Sequence, residues 1–304
     1  MKLLADFKPT PAIAYMFVTG TAFLFATSTV VSRGVHEIIP PIGGTFWRWF
    51  LAAMIMLAFV WRELPGKSAL IRKHWRLIVL LGILQIGPSA VLFLGLNFTT
   101  AINATLINAS QPALTVLPAW LLTRDRITAG QAIGIFAALA GIIVMVSKGS
   151  LAAVLALKFN VGDILALTAI LGWTLYATLQ HRLPSELGAG VKLFVIFLTG
   201  SLSVLPFYLI ETAFFRSVPA SMSALGIIAF LGIVGSLAGI ALWNAALSTV
   251  GPNRATIFLN LVPVFGVSLA IIFLGEQLFA HHLAGAGLVA LGVILVVTRA
   301  RKRV

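Results

Sequence analysis

The stretch LNFTTAINATLINASQPALTVLPAWLLTRDRITAGQAIGIFAALAGIIVMV (residues 96–146) recurs, loosely but without a gap, as LSTVGPNRATIFLNLVPVFGVSLAIIFLGEQLFAHHLAGAGLVALGVILVV (residues 247–297). A shift of 151 positions lays Leu96 on Leu247, Ala104 on Ala255, Thr105 on Thr256 and Pro112 on Pro263. It also lays Asp125 on Glu276, Gly134 on Gly285 and Gly141 on Gly292. Aliphatic matches are common by chance in so apolar a chain. The proline, the two glycines and the acid carry the signal. Internal symmetry of this kind in a membrane chain marks transporters more often than enzymes.

Outward from the repeat, the chain has 304 residues, 60% hydrophobic and 10% charged, with a mean hydropathy of +1.06. A soluble domain carries roughly a quarter charged residues. The apolar runs approach the ~20 residues that cross a bilayer as helix, and no alternating pattern suggests a closed barrel. The fold class expected is all-α integral membrane. Five spans are read in the first half: Ala12–Arg33, Gly43–Trp61, Trp75–Asn97, Ala101–Leu122 and Thr128–Ser147. The second half gives Gly162–His181, Val191–Ile210, Met222–Leu247, Arg254–Leu274 and Leu283–Arg299. The first span is too long for the apolar region of a cleaved signal peptide. Cysteine is absent, which removes disulfide and thiolate chemistry.

The net charge of +13 could point to nucleic acid, but its distribution points to topology. Ten spans place both termini on one side. That side holds Lys2, Lys8, five basic residues between 62 and 76, Arg124, Arg126, Arg182, Lys192, Arg254 and four between 299 and 303. The other side holds Arg33, Lys148, Lys158 and Arg216. The bias puts both termini in the cytoplasm of a cell whose cytoplasmic (inner) membrane carries the protein. No nucleic-acid partner is expected.

Five spans per half is an odd number, so the second copy enters the membrane from the opposite face. Residues 1–150 and 151–304 are then two inverted repeats, and substrate binds where they meet near the midplane. Ten spans in two halves, the Phe46–Phe50 run (Phe-Trp-Arg-Trp-Phe) and the proline-bearing fourth and ninth spans resemble the drug/metabolite transporter superfamily. The closer resemblance is to its EamA-type branch, among the bacterial amino-acid exporters that include aromatic ones. It covers nearly the whole chain. It implies two inverted five-helix repeats around a central cavity, exporting small metabolites by alternating access.

Helical spacing selects the residues that could line such a path. In span one Thr21, Phe25, Ser28 and Ser32 share a face; in span three Gln85 and Ser89 do. Span four offers Asn108 and Gln111 beside Pro112, and span six Trp173 and Tyr176. Span eight offers Ser236, Trp243 and Asn244, and span nine Asn260 ahead of Pro263. Trp47 completes the set from the aromatic run of span two. Polar groups at such depth face a bundle or a wet cavity, although they also serve as glue between helices. Pro112 and Pro263 each remove a helix hydrogen bond and read as symmetric hinges. Arg48 lies inside span two; it reads either as a carboxylate clamp or as a structural cap, and its place in the family resemblance favours the cap. The glycines at 134, 141, 285 and 292 read as a close-packing ridge, with a dimer face as one use.

All eight acids map to loops or span ends, and span one holds none. This disfavours drug–proton antiport through a buried carboxylate. A single intramembrane cation disfavours phosphorylated substrates. There is no HExxH, GxSxG or Walker A motif, and the adjacent His281 and His282 lack an acid partner one turn away. No enzyme activity, cofactor or metal is expected. The expectation is an exporter of neutral or aromatic amino acids with broad selectivity, the alternative a multidrug or other metabolite exporter. Its partners are a small-molecule substrate and the bilayer, and its assembly a monomer or weak homodimer.

Overall fold

The computed structural model describes residues 9–123, 128–150, 160–250 and 258–300, with side chains at all of these except 119, 122, 123, 247, 248 and 297–300. Lys2, Lys8, Arg124, Asp125, Arg126, Lys158, Arg254 and Thr256, all used in the sequence reading, lie outside these residues.

Each long apolar run becomes a helix whose ends carry recognisable signals. Helix α1 (Pro11–Gly34) starts with proline in its first turn, behind Thr10, whose hydroxyl oxygen accepts from the Ile13 N–H. Helix α2 (Pro41–Val60) also starts on proline, where the missing N–H costs nothing. A short polar helix α3 (Leu64–Lys73) leads into α4 (Trp75–Gly95). Helix α8 (Ala129–Val146) opens on a capping box between Thr128 and Gln131, which satisfies two otherwise orphaned donors. Helix α9 (Val161–Leu179) opens on Asn160, and α10 (Ala189–Phe214) follows two single-turn 3-10 segments.

The fourth span departs from the single helix expected. It runs as α5 (Ala101–Asn108), α6 (Gln111–Leu114) and α7 (Val116–Thr123). Pro112 has no N–H for the Asn108 carbonyl and Pro118 none for that of Leu114, so the ladder fails at both points. At the first break the Ser110 N–H and hydroxyl both turn back to the Ile107 carbonyl (3.0 and 2.7 Å). The ninth span behaves alike: Leu259–Asn260 is a turn, and α13 (Leu261–Leu274) follows with Pro263 in its first turn.

The eighth span also departs from regularity. Between α11 (Met222–Phe230) and α12 (Gly239–Val250), residues Leu231–Ala238 wind as a π-helix. The Ser236 hydroxyl follows the wider turn by donating to the Leu231 carbonyl five residues back (3.2 Å). The chain closes with α14 (Ala280–Ala300). Among the described residues seven helices are long and apolar enough to cross a membrane, and the stretches 261–274 and 280–296 are shorter apolar helices. The protein is an all-helical, multi-pass membrane protein.

The helices pack in matched pairs. The closest is α8 on α14, followed by α2 on α10, α4 on α9 and on α10, α1 on α12 and on α13, and α5 on α13. Exchanging first-half helices for second-half ones keeps α8 on α14, α2 on α10 and α5 on α13 and turns α4 on α9 into α12 on α1. The contacts of α4 on α10 and of α1 on α13 find only weaker counterparts, α2 on the segment Leu231–Ala238 and α5 on α9. The α8–α14 crossing is made by the glycine ridge. A Cβ on Gly134 would stand 2.6 Å from the Gly292 carbonyl oxygen, and one on Gly141 2.6 Å from that of Gly285. The ridge is therefore consumed within the chain, which corrects its reading as a dimer face.

Candidate functional site

Two of the expected path residues meet where helices of the two halves adjoin. On α2 the Arg48 guanidinium is 8% exposed, and its Nη1 donates to Ser28 Oγ of α1 at 3.3 Å. The guanidinium carbon lies 5.3 Å from the ring centroid of Trp49. Arg48 Nε and Trp49 Nε1 are both buried without a hydrogen-bond partner. The third wall is the π-helix: Gly232 lies against the Arg48 backbone carbonyl, and Gly235 against Ser28. A π segment here widens one turn and sets glycine backbone, with no side chain between, against both residues.

A second group forms between α4 and α9. Trp173 Nε1 donates to the Gln85 carbonyl at 3.1 Å, and Gly172 admits Pro88 alongside. Ser89 is buried one turn beyond Gln85. Tyr176 extends this face towards the large core formed by α2, α4 and α10. A third group lies at the α1–α12 contact, where Trp243 packs with Ala14, Val18 and Ala246, with half-buried Asn244 next to it.

The remaining expected residues fall elsewhere. Trp47 is 39% exposed and donates to Tyr208 Oη at 3.1 Å, in an aromatic cluster with Phe46 and Phe50. Its indole goes to Tyr208 of α10, whereas the Arg48 guanidinium goes to Ser28 of α1. Asn108 ends α5 with its Oδ1 buried and unpartnered, beside half-buried Gln111 and Pro112. Asn260 is exposed at the start of α13, three residues before half-buried Pro263. A groove of about 460 Å³ between α3, α4 and α10 is lined by Ile71, Trp75 and Phe194. It opens on the outside of the bundle, apart from all three groups.

The acids are where the sequence reading falls short. Asp163, placed there at a span end, is 1% exposed inside the first turn of α9. Its carboxylate accepts from the hydroxyl of Thr99 and from Asn103 Nδ2 (3.1 Å). Glu211 is buried in the last turns of α10 and accepts from the Ile42 and Gly43 N–H groups (3.1 and 2.7 Å) at the start of α2. Glu276 does the same for α5, accepting from the Ala101 and Ile102 N–H groups (2.8 and 2.9 Å). Arg33 Nε stands 4.0 Å from Glu276 Oε1. Carboxylates suit helix N-termini because unpaired N–H groups and the helix dipole both favour them there. In sequence the only signal is an acid near a span end; its helix lies some 60 to 175 residues away. Asp163→Ala is expected to strand two buried donors, each worth about 1–3 kcal/mol. A thermal melt in detergent should show a clear loss for Asp163→Ala and a smaller one for Asp163→Asn, and equal melts would contradict this role.

Comparison with known proteins bears on the whole chain. The family model described as "EamA-like transporter family" matches residues 12–147 and again residues 160–298. "Uncharacterized transporter YyaM" of Bacillus subtilis (strain 168) is 31% identical over 289 residues, covering 93% of this chain and 90% of that one. A "Probable amino-acid metabolite efflux pump" of Salmonella typhimurium (strain LT2) is 25% identical over 278 residues, covering 88% of each. One crystal structure shares the fold with a TM-score of 0.62 at 20% identity, covering 96% of this chain and 98% of that one.

Proposed function

The chain belongs to the EamA-like transporter family, and from that premise we propose that it exports small amphipathic metabolites, neutral or aromatic amino acids first among them, by alternating access. That it is a multi-pass membrane transporter follows from the family and its apolar helices. The finer reading rests on one observation above others. The family model matches each half separately, and the two most extensive helix contacts, α8 on α14 and α2 on α10, each join helices at equivalent places in the two halves. Two inverted five-helix repeats account for both facts and supply the two pseudo-equivalent states, one open to each side, that alternating access needs. The breaks ahead of Pro112 and Pro263, at equivalent places in the two halves, are the hinges of that exchange. The positive-inside charge distribution supports an inner-membrane carrier with both termini cytoplasmic.

Amino acids lead the substrate classes for two reasons. Two relatives, at 25% and 23% identity, carry the name "Probable amino-acid metabolite efflux pump". The groups described above pair aromatic surface with amide and hydroxyl groups, which suits an apolar side chain attached to a zwitterion. The protein acts as a carrier and not as an enzyme.

The deciding experiment is transport in proteoliposomes with labelled amino acids, sugars and cationic dyes, with and without a proton gradient. Amino-acid counterflow is expected, and dye transport alone would replace this reading with a multidrug exporter. Trp243→Ala and Gln111→Ala should each lower the rate several-fold while leaving folded protein in detergent. Unchanged rates in both would remove them from the path.

A further inference from the structure

We propose that Arg48 and Ser28 form an anion site for the carboxylate of the exported metabolite; the choice of carboxylate as ligand rests on the amino-acid reading above. Arg48 lies seven residues into α2, roughly 10 Å from its start at 1.5 Å per residue. A charge at that depth is costly unless it is paired. Yet the only ion pair among the described residues is Arg33 with Glu276. The single hydrogen bond found for the guanidinium is the one from Nη1 to the neutral hydroxyl of Ser28. The Trp49 ring offsets part of the charge, but it offers no lone pair to an N–H.

Two donors on consecutive residues of α2 therefore lack an acceptor: Arg48 Nε and the indole N–H of Trp49, both buried. Unpaired buried donors are rare because each forfeits its hydrogen bond to water. The group that would satisfy this place is negative, carries two acceptor oxygens and matches the planar guanidinium fork. A carboxylate has these properties. A phosphate dianion would call for more than one cation, and none other is described here.

The surroundings fit a site that opens and closes. Ser28 and Arg48 sit on α1 and α2, and the wall against them is the π-helix of the second half. A Cβ on Gly235 would stand 2.7 Å from Ser28 Oγ, and one on Gly232 2.9 Å from the Arg48 carbonyl oxygen. The wall is thus bare backbone in contact with both residues. The π-helix closes against the Arg48 backbone and Ser28, so its separation from α1 and α2 would open the Ser28 side of the guanidinium to the path, while Trp49 stays packed on Phe197 of α10. Binding of the carboxylate then favours whichever state leaves the guanidinium accessible.

The test uses the whole purified protein and four probes: phenylacetate, phenylacetamide, phenylalanine and phenylalaninamide. Ligands that bind the folded state raise its melting temperature. In the wild type the two carboxylates should raise it and the two amides should not. Arg48→Met should lose that selectivity, with carboxylate affinity falling about tenfold or more. Arg48→Lys, a point charge without the fork, should keep part of it. Ser28→Ala should weaken it with no large loss of stability. Equal shifts from acids and amides in the wild type overturn the site, even if Arg48→Met fails to fold, and so does full carboxylate selectivity in a folded Arg48→Met. Counterflow of labelled phenylalanine is read separately. Absence of transport with selectivity intact overturns the amino-acid carrier and leaves the anion site; transport without selectivity does the reverse.

Discussion

Gly292→Leu is expected to yield little or no monodisperse protein after extraction in mild detergent. The side chain would project into the tightest contact of the fold, against the Gly134 carbonyl and Ala138 of α8. Neither is the flexible tip of a side chain. Backbone would have to move, and α8 and α14 would have to part along their length. Overpacking a well-filled interior costs ~1–3 kcal/mol where neighbours can adjust, and more is expected where the obstacle is a carbonyl. In a membrane the contact is held by close packing and not by the hydrophobic effect, since lipid tails are as apolar as the partner helix. Separation therefore forfeits most of what joins the pair. Size-exclusion chromatography reads the result, and a symmetric wild-type peak from Gly292→Leu would show that the crossing is loose. Gly287→Leu is the control, because a Cβ there meets nothing within 4 Å.

Glu276→Ala is expected to release the start of α5. Its two oxygens accept from the Ala101 and Ile102 N–H groups, bonds to a charged group that are worth about 1.5–3 kcal/mol each. Thr100 holds the next donor, Asn103 N–H at 3.1 Å, so the turn does not unravel completely. The amides of residues 101 and 102 should exchange with deuterium at least about tenfold faster, corresponding to about 1.4 kcal/mol of lost protection. Glu276→Gln, with one acceptor oxygen, should fall between. The same carboxylate ties the start of the broken fourth span to the ninth-to-tenth connection, so transport rate should change together with exchange. Unchanged exchange at Ala101 and Ile102 would mean that the capping bonds carry no weight.

How much of this was legible in the sequence depends on which interactions are local. Hydropathy and helix signals placed the starts of α1, α4 and α8 to within a residue or so, because these helices begin at Pro11, at Trp75 and behind the Thr128 capping box. Pro112 was visible as a fault in span four, but not that with Pro118 it cuts the span into three pieces. The glycine ridge was visible too. Its partner was not, since small residues at helical spacing announce a close neighbour without saying whose. The π-helix left only Gly232, Gly235 and Ser236 as a trace. Asp163 lies at a span end as expected, but its burial is not legible there, because it depends on Thr99 and Asn103, brought over from the α4–α5 connection and the first turn of α5. Of the candidate residues, Ser28 and Arg48 met, as did Gln85 and Trp173, while Trp47 went to Tyr208 of α10.

The contact between α8 and α14 has a mechanical consequence. Backbone rests on backbone at Gly134–Gly292 and at Gly141–Gly285, with the side chains of Met145 and Val296 packed over the glycines. A crossing held at two points by fixed carbonyls has little room to slide. In the proposed cycle the pair is a fulcrum: it turns with neither state, and the broken spans and the π-helix swing against it.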